Sequence, residues 1–452
     1  MSEDLLPGRS HQRGGERRAR VPWLLRSLGV ADASVAERRA TLWTAAMFCG
    51  AMASTSVLRP LRDQFGVHEG VARFPYLYSL TLLVTTVFTP LFWSLANRRP
   101  SRRFVPIALQ AAAGSMVLLF LGLTLVGSYD WQAPGAQWVG EAFWGWFSAL
   151  NVAVPTLVWI HAVEHFRPAQ AKRLFGLVGV GGTLGAVCGS WLAGQLTGWQ
   201  LEPSSAAVAA LLLLEVTFVC HRRALRACAA MTDTAGGNEP VARGGLLEGL
   251  RLLARDRHVL GIGGYMMLLG MVATVFVAAQ TELVGLQVAR GRSQHGWLAY
   301  QEALSQGLVL LLQVFCTGRL LRRWPSWLFL CLWPLSSLLG LGALGLWPTA
   351  AAIAVVQITR RGTQYAFEKP AREVLYTPLD LVTKHKVKFL LDTFAFRLGD
   401  LLGAVFQLAC LRSSGAGTAS ATVLGGSMVL VVLWAGLGFT LGRRSERRAA
   451  AA

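Results

Sequence analysis

The sequence predicts an all-α membrane protein of twelve transmembrane helices arranged as two six-helix halves. Three observations carry that expectation: an apolar composition, a succession of apolar runs near 20 residues, and one long polar interruption midway along the chain. Of 452 residues, 53% are hydrophobic and 15% charged, where a soluble domain carries roughly 25% charged. Mean hydropathy is +0.45, so much of the surface must face something other than water. A helix needs about 20 apolar residues to cross a hydrocarbon core of ~30 Å. A soluble enzyme, a disulfide scaffold and a disordered chain are excluded.

The spans are placed at 41–58, 73–95, 105–127, 137–161, 174–196, 204–220, 258–283, 297–316, 327–346, 347–367, 389–410 and 421–441. This gives a basic tail over 1–40, a first bundle over 41–220, a linker over 221–257, a second bundle over 258–441 and a tail over 442–452. The net charge of +19 follows topology. With the amino terminus cytoplasmic, most Lys and Arg fall in the inside segments, as the positive-inside rule requires. The basic excess is therefore an orientation signal and gives no support to nucleic acid as a partner. The expected setting is a cell (inner or plasma) membrane, crossed many times with both termini cytoplasmic. The Arg-rich first 40 residues form too long a basic region for a cleaved signal peptide, so a cytoplasmic tail and a retained first helix are expected. The seven cysteines show no close-paired spacing, so neither a disulfide nor a zinc framework is expected.

The linker holds "MTDTAGGNEP" and then a basic helical run. On either side of it the halves echo each other. "NRRPSRR" follows span 2 and "GRLLRRWPS" follows span 8, while "AVEHFRPA" follows span 4 and "AFEKPA" follows span 10. Weak parallel repeats of six spans resemble the two halves of a major facilitator transporter. Span 10 is polar-broken: "AAAIAVVQI" gives way to Thr359, Arg360 and Arg361. Span 4 carries Asn151 and Pro155 at mid-membrane. Polar or irregular helices at matching places in two repeats point toward a substrate site, because such backbone survives only beside a cavity.

A charge at a membrane helix centre costs about 2.5–3.5 kcal/mol or more, so each one needs a reason. Arg59, Arg62 and Asp63 close span 1 on one side of the helix. They read as a cationic surface for an anion, with Asp63 holding a guanidinium, or as interfacial side chains reaching the headgroups. Asp392, Arg397 and Asp400 share a half-face of span 11, as a substrate or gate surface or as an interhelical ion pair. Glu368–Arg372 and Lys369–Glu373 are i,i+4 pairs, fit for a solvated helix end or an inside gate. Glu141, among Trp138, Phe143, Trp144 and Trp146, can pair with a cation or lie beneath an aromatic belt. Glu215 and Glu302 are weaker candidates of the same kind.

Two motifs are set aside. "HAVEH" (His161 to His165) fits an inverted zinc-peptidase pattern but has no third ligand at a recognisable spacing. "GLVGVGGTLG" (Gly176 to Gly185) lacks the preceding strand of a dinucleotide fingerprint; in an apolar helix, glycines three and four apart let another helix approach. There is no Walker A sequence.

"LRPLRD" (Leu58 to Asp63), "AKRLFGLVGVGGTLG" (Ala171 to Gly185) and "EKPAREVLYTPLDLVTKHKVKFLLDTFAFRLGDLLGA" (Glu368 to Ala404) resemble the ATP/ADP translocases of the nucleotide transport protein family. The resemblance implies a twelve-helix, major-facilitator-like fold and exchange of ATP for ADP, or of nucleotides for phosphate and other nucleotides. By position, Arg62 falls where that family has a Lys before the Asp. Glu141 is the match to a functional Glu of its fourth span. Lys369, Arg372, Glu373, Asp392 and Arg397 lie in the matching C-terminal block.

The expectation is thus a monomeric, non-enzymatic secondary transporter without cofactor or metal. Its anionic small-molecule substrate would be bound by Arg59, Arg62, Asp63, Glu141, Asn151, Lys369, Arg372, Asp392, Arg397 and Asp400. Two rivals stand beside it: a carrier of another organic anion or proton-coupled solute, and a transport-silent receptor or assembly protein.

Overall fold

The computed structural model describes residues 33–125, 136–199, 203–231, 256–288, 294–376, 390–414, 417 and 420–451. The first half comprises α1 (Val35–Glu69), α2 (Phe74–Arg98), α3 (Ser101–Leu125), α4 (Ala136–His165), α5 (Pro168–Gly198) and α6 (Pro203–Ala229). The second comprises α7 (Arg257–Val288), α8 (Gln294–Leu312), α9 (Ser326–Leu346), α10 (Ala350–Thr363), α11 (Phe396–Ser414) and α12 (Ala421–Ala451). Among the described residues, three π-helical turns interrupt the second half. One extends α8 (Gln313–Thr317) into Gly318–Arg323, one extends α10 (Gln364–Glu368) into Lys369–Val374, and one opens α11 (Leu391–Ala395).

Several boundaries differ from the sequence expectation, each for a local reason. α1 begins inside the expected tail, because Ser34 and Glu37 form a capping box: Glu37 N–H donates to Ser34 Oγ (3.1 Å) and Ser34 N–H to Glu37 Oε2 (2.8 Å). It also outruns its expected end at 58. Pro60 removes one amide donor without ending the helix, which continues to Glu69 and closes on Gly70 at φ +76°, a conformation that favours glycine. Arg59, Arg62 and Asp63 consequently sit within a continuous helix instead of at its tip. Span 10 is likewise unbroken, since the π turn carries it past Arg361 to Val374. α4 runs straight through Asn151 and Pro155. The 221–257 linker shortens at both ends, with α6 reaching Ala229 and α7 starting at Arg257; its basic run at 241–255 lies outside the described residues.

The packing repeats. α1 packs on α4, α5 and α6, and α7 on α10, α11 and α12; α4 joins α2 and α3 as α10 joins α8 and α9. Each half has its own apolar core, one around Phe143, Phe147 and Leu157 and the other around Phe276, Trp333 and Trp434. The halves meet along α5 with α8 and α2 with α11, pairs related by the same repeat.

Glycines set the tightest contacts. A Cβ on Gly181, Gly185 or Gly189 of α5 would sit 2.4, 2.0 or 2.4 Å from the carbonyl oxygens of Ala45, Cys49 and Ala53 on α1. In the second half, Gly399 and Gly403 of α11 meet Met267 and Met271 carbonyls of α7 at 2.2 and 2.6 Å by the same measure. The expected helix-approach role of the "GLVGVGGTLG" run thus falls on Gly181, Gly182 and Gly185, while Gly176 and Gly179 face open space.

The outer surface is apolar at helical spacing, as Leu83, Val87, Leu91 and Leu95 along α2 illustrate. By length and composition, 10 helices among the described residues can cross a membrane. α8 and α10 are not among them: α8 carries Gln301, Glu302 and Gln306 mid-helix, and α10 is only 14 residues before its π turn. Both helices that fall short turn buried polar groups inward.

Gly185→Val should therefore lower the thermal unfolding midpoint of purified protein, at a cost of about 1–3 kcal/mol or more. Gly176→Val should stay within about 0.5 kcal/mol of wild type. Equal midpoints for the two variants would contradict the close α1–α5 approach.

Candidate functional site

Arg59, in the last third of α1, points across the seam between the halves. Its Nη1 donates to Glu302 Oε1 of α8 at 2.7 Å, and its Nη2 lies 3.5 Å from Asn151 Oδ1 of α4. Arg361 of α10 closes on the other carboxylate oxygen, Glu302 Oε2. Gln306 Nε2 adds a bond to Oε1 at 2.9 Å. Glu302 is 4% exposed, and a carboxylate so buried persists only when paired and hydrogen-bonded. Here one carboxylate serves two guanidiniums, one from each half.

One turn further along α1, Arg62 Nε donates to Asp63 Oδ1 at 2.8 Å. Its guanidinium lies 4.9 Å from the Trp144 ring and 5.5 Å from Phe147. Arg62, Asp63, Gln280, Thr281, Leu298 and Arg361 line a cleft between the halves. In this conformation it is nearly shut, with about 20 Å³ of water-sized space, room for one water. Phe65, Phe74, Tyr78, Trp144, Ala278 and Ala404 cluster across the seam beside it. A larger hollow of about 570 Å³ lies between α1 and α6, lined by Arg39, Trp43, Arg223 and Arg226. It belongs to one half and lies off the seam, so the chemistry is placed in the smaller cleft.

Amides form the wall on the second half. Gln280 Oε1 of α7 accepts from Gln301 Nε2 (3.1 Å) and from Gln357 Nε2 (2.9 Å). Gln357 Oε1 in turn accepts from Arg360 Nη1 at 3.0 Å. Behind the seam, Tyr365 on the π turn of α10 offers its carbonyl to Gln313 Nε2 (3.4 Å), and Gln313 Oε1 accepts from Thr183 of α5 (3.1 Å). The latter is a second polar tie between halves.

The remaining sequence candidates occupy separate places. Arg397 Nη1 donates to Asp400 Oδ2 at 3.0 Å on α11, while Thr274 Oγ1 holds the Asp400 carbonyl at 3.1 Å. Tyr78 of α2 stands within electrostatic range of this pair and of Arg62 and Asp63. Asp392, eight residues earlier, is exposed and faces Arg372 and Tyr376. There the Glu368–Arg372 pair forms at 3.6 Å, and the Lys369 ammonium lies 5.5 Å from the Tyr365 ring. Glu141 has its own network at the start of α4, accepting from Arg73 (2.9 Å), Tyr76 (3.0 Å) and Gln137 (3.2 Å). In the "HAVEH" stretch, Glu164 Oε2 accepts the Ser101 N–H at 2.8 Å and so caps α3.

The structure thus brings Arg59, Arg62, Asp63 and Asn151 together at the seam. It adds Glu302, Arg361 and the glutamines as their partners, leaves Lys369 close by on the Tyr365 ring, and sets Glu141 and Asp392 apart from them. Sequence reasoning ranked Glu302 low and treated Arg360 and Arg361 only as an interruption. The available signal was spacing: Gln301 with Ser305, and Glu302 with Gln306, are i,i+4 pairs in an otherwise apolar span.

No protein-family profile matches the chain, and no curated protein matches its sequence. Solved structures do match in three dimensions. A mutant of the nucleoside transporter NupG is 14% identical with a TM-score of 0.59, covering 91% of this chain and 99% of that one. NupG itself gives 13% and 0.57, with 92% and 99% covered. A bacterial homologue of the human lysosomal transporter Spinster gives 14% and 0.56, with 92% and 98% covered. The chain has the major-facilitator fold.

If Glu302 pairs with Arg59 as described, Glu302→Ala should cost about 3–5 kcal/mol by stranding buried guanidiniums. A thermodynamic cycle with Arg59→Ala should give a coupling of about 0.5–3 kcal/mol. Strict additivity of the two variants in thermal unfolding would contradict the pairing.

Proposed function

We propose that the protein is a secondary transporter that exchanges nucleotides, ATP for ADP in type, across the membrane by alternating access. The observation that carries this reading is the shared carboxylate: Glu302 pairs with Arg59 of the first half and with Arg361 of the second. The major-facilitator fold supports rocking of one bundle against the other around a central site. The guanidiniums suit phosphate oxygens, which take two parallel hydrogen bonds from a planar fork. The motifs that resemble those of the ATP/ADP translocases point to a nucleotide.

The exchange step follows from electrostatics. Separating the halves breaks the Arg59–Glu302 bond and leaves a guanidinium in a low-dielectric interior, where an unpaired charge costs several kcal/mol. An entering polyanion replaces the carboxylate as partner of Arg59 and Arg361 and removes that penalty. The loaded carrier can then reorient while the empty one is held. Arg62, fixed by Asp63 and Trp144, contributes a further donor at the cleft wall. Asn151 steadies the far side of Arg59.

Transport of another organic anion is the second reading, because the arginines recognise charge and select no particular base. Proteoliposomes loaded with ADP and given labelled ATP outside test both. Uptake that requires internal nucleotide is the expected result, and Arg361→Ala should lower it about 10–100-fold, the worth of a charged hydrogen bond. Uptake no greater than into unloaded vesicles would contradict exchange. Uptake inhibited by other dianions and indifferent to nucleotides would favour the second reading. A receptor or assembly role predicts that Arg361→Ala keeps full function.

A further inference from the structure

Arg360 takes no part in the Glu302 network, although its neighbour Arg361 does. A step of one residue turns a helix by 100°, and so Arg360 points from α10 into the core of the second bundle. It is 3% exposed. Its Nε donates to Ser337 Oγ at 3.0 Å and its Nη1 to Gln357 Oε1 at 3.0 Å. The guanidinium carbon lies 3.8 Å from the centre of the Phe276 ring and 5.5 Å from Trp333. Its Nη2 is buried without a partner. Among the described residues its partners are thus neutral, and no carboxylate answers its charge.

That is a costly arrangement. Arginine does not deprotonate in proteins, and a buried ion with neutral partners would in general be replaced at no loss by an apolar residue of similar volume. Contact with aromatic faces returns only part of the desolvation cost, about 2 kcal/mol when water is excluded. A charge kept inside a membrane bundle without a counter-ion calls for a functional account.

The path from Arg360 leads to the cleft. Arg360 donates to Gln357, Gln357 donates to Gln280 Oε1, and Gln280 lines the cleft. The Gln280 oxygen is held there by two amides, those of Gln301 and Gln357. At the seam stand three guanidiniums, Arg59, Arg62 and Arg361, against two carboxylates, Asp63 and Glu302, and behind them in the second core stands a fourth guanidinium, Arg360. The Arg397–Asp400 pair cancels itself. These six groups therefore carry two positive charges in excess, and the Lys369 ammonium against Tyr365 adds to the same sign.

We propose that Arg360 is a specificity-determining residue which sets the charge of the substrate, so that the cleft selects solutes carrying at least two negative charges. Phosphate monoesters, diphosphates and dicarboxylates meet this condition. Arg360 acts at a distance, through its field and through the Gln357–Gln280 relay, without touching the solute. A neutral solute leaves both excess charges unanswered and a monoanion leaves one. The inference rests on the cleft being the transport site, as proposed above, and adds the charge requirement to it.

The test uses purified full-length protein and one scaffold at increasing charge: adenosine, AMP, ADP and ATP, with binding followed by calorimetry and unfolding by thermal scan. In wild type, affinity should rise steeply from adenosine to the charged members. Arg360→Met should weaken ADP binding at least about tenfold, or 1.4 kcal/mol, with little change for adenosine. Its thermal midpoint should hold or rise, because a buried lone charge has been removed. Arg360→Lys, which keeps the charge, should retain the preference. Should Arg360→Met fail to fold, Arg360→Gln carries the same comparison. Wild type that binds no member of the series overturns the nucleotide reading and this inference with it. Wild type that binds, together with an ADP-to-adenosine preference unchanged in the neutral variants, overturns this inference alone.

Discussion

Everything at the centre of this molecule is organised around one buried carboxylate that answers to two guanidiniums from different halves of the chain. Glu302 is 4% exposed and has three donors to satisfy it, Arg59, Arg361 and Gln306. Such an arrangement is weak evidence for stability, since replacing a buried ion pair by apolar residues is often neutral. Its value lies in coupling. In the proposed exchange, a bond that crosses the seam makes the relative position of the bundles depend on whether Arg59 has an anionic partner. A dissolved anion and a protein carboxylate are interchangeable for that purpose.

The scaffold makes this dependence possible by being stiff elsewhere. Within each half, glycines bring helix backbones into contact, α5 on α1 and α11 on α7, so each bundle is tightly packed within itself. Between halves the contacts are fewer and partly polar: Thr183 with Gln313, Gln195 with Tyr300, and Arg59 with Glu302. The two halves are not equivalent in detail. Among the described residues the π-helical turns fall in α8, α10 and α11 of the second half, and π turns accompany functional sites more often than chance. The turn in α10 follows Arg361 by a few residues and shapes the wall that carries Tyr365.

Much of the architecture was legible in the sequence because lipid imposes a strong rule: runs of apolar residues long enough to span, and charge confined to the ends. The six-plus-six division follows from it. Helix ends were less legible, because proline and polar residues stop helices in water but are tolerated inside a bundle whose neighbours supply partners. This is why α1 outran its expected end and α10 stayed whole. Glu302 was undervalued for a related reason. A lone acid in an apolar run reads the same whether it faces lipid, water or a guanidinium contributed 243 positions away. Arg360 and Arg361 are adjacent in sequence yet point to a core and to a seam, a distinction that requires knowing the rotation of α10 against α7 and α9.

The most direct measurement is the equilibrium affinity of the purified protein for ADP with and without the charge on Glu302. If the carboxylate and the solute compete for the same two arginines, Glu302→Gln must bind ADP more tightly than wild type. At least about tenfold, or 1.4 kcal/mol, is expected at fixed pH and ionic strength. Unchanged or weaker binding by that variant would mean that Glu302 does not occupy the place of the substrate, and the account of exchange would fail.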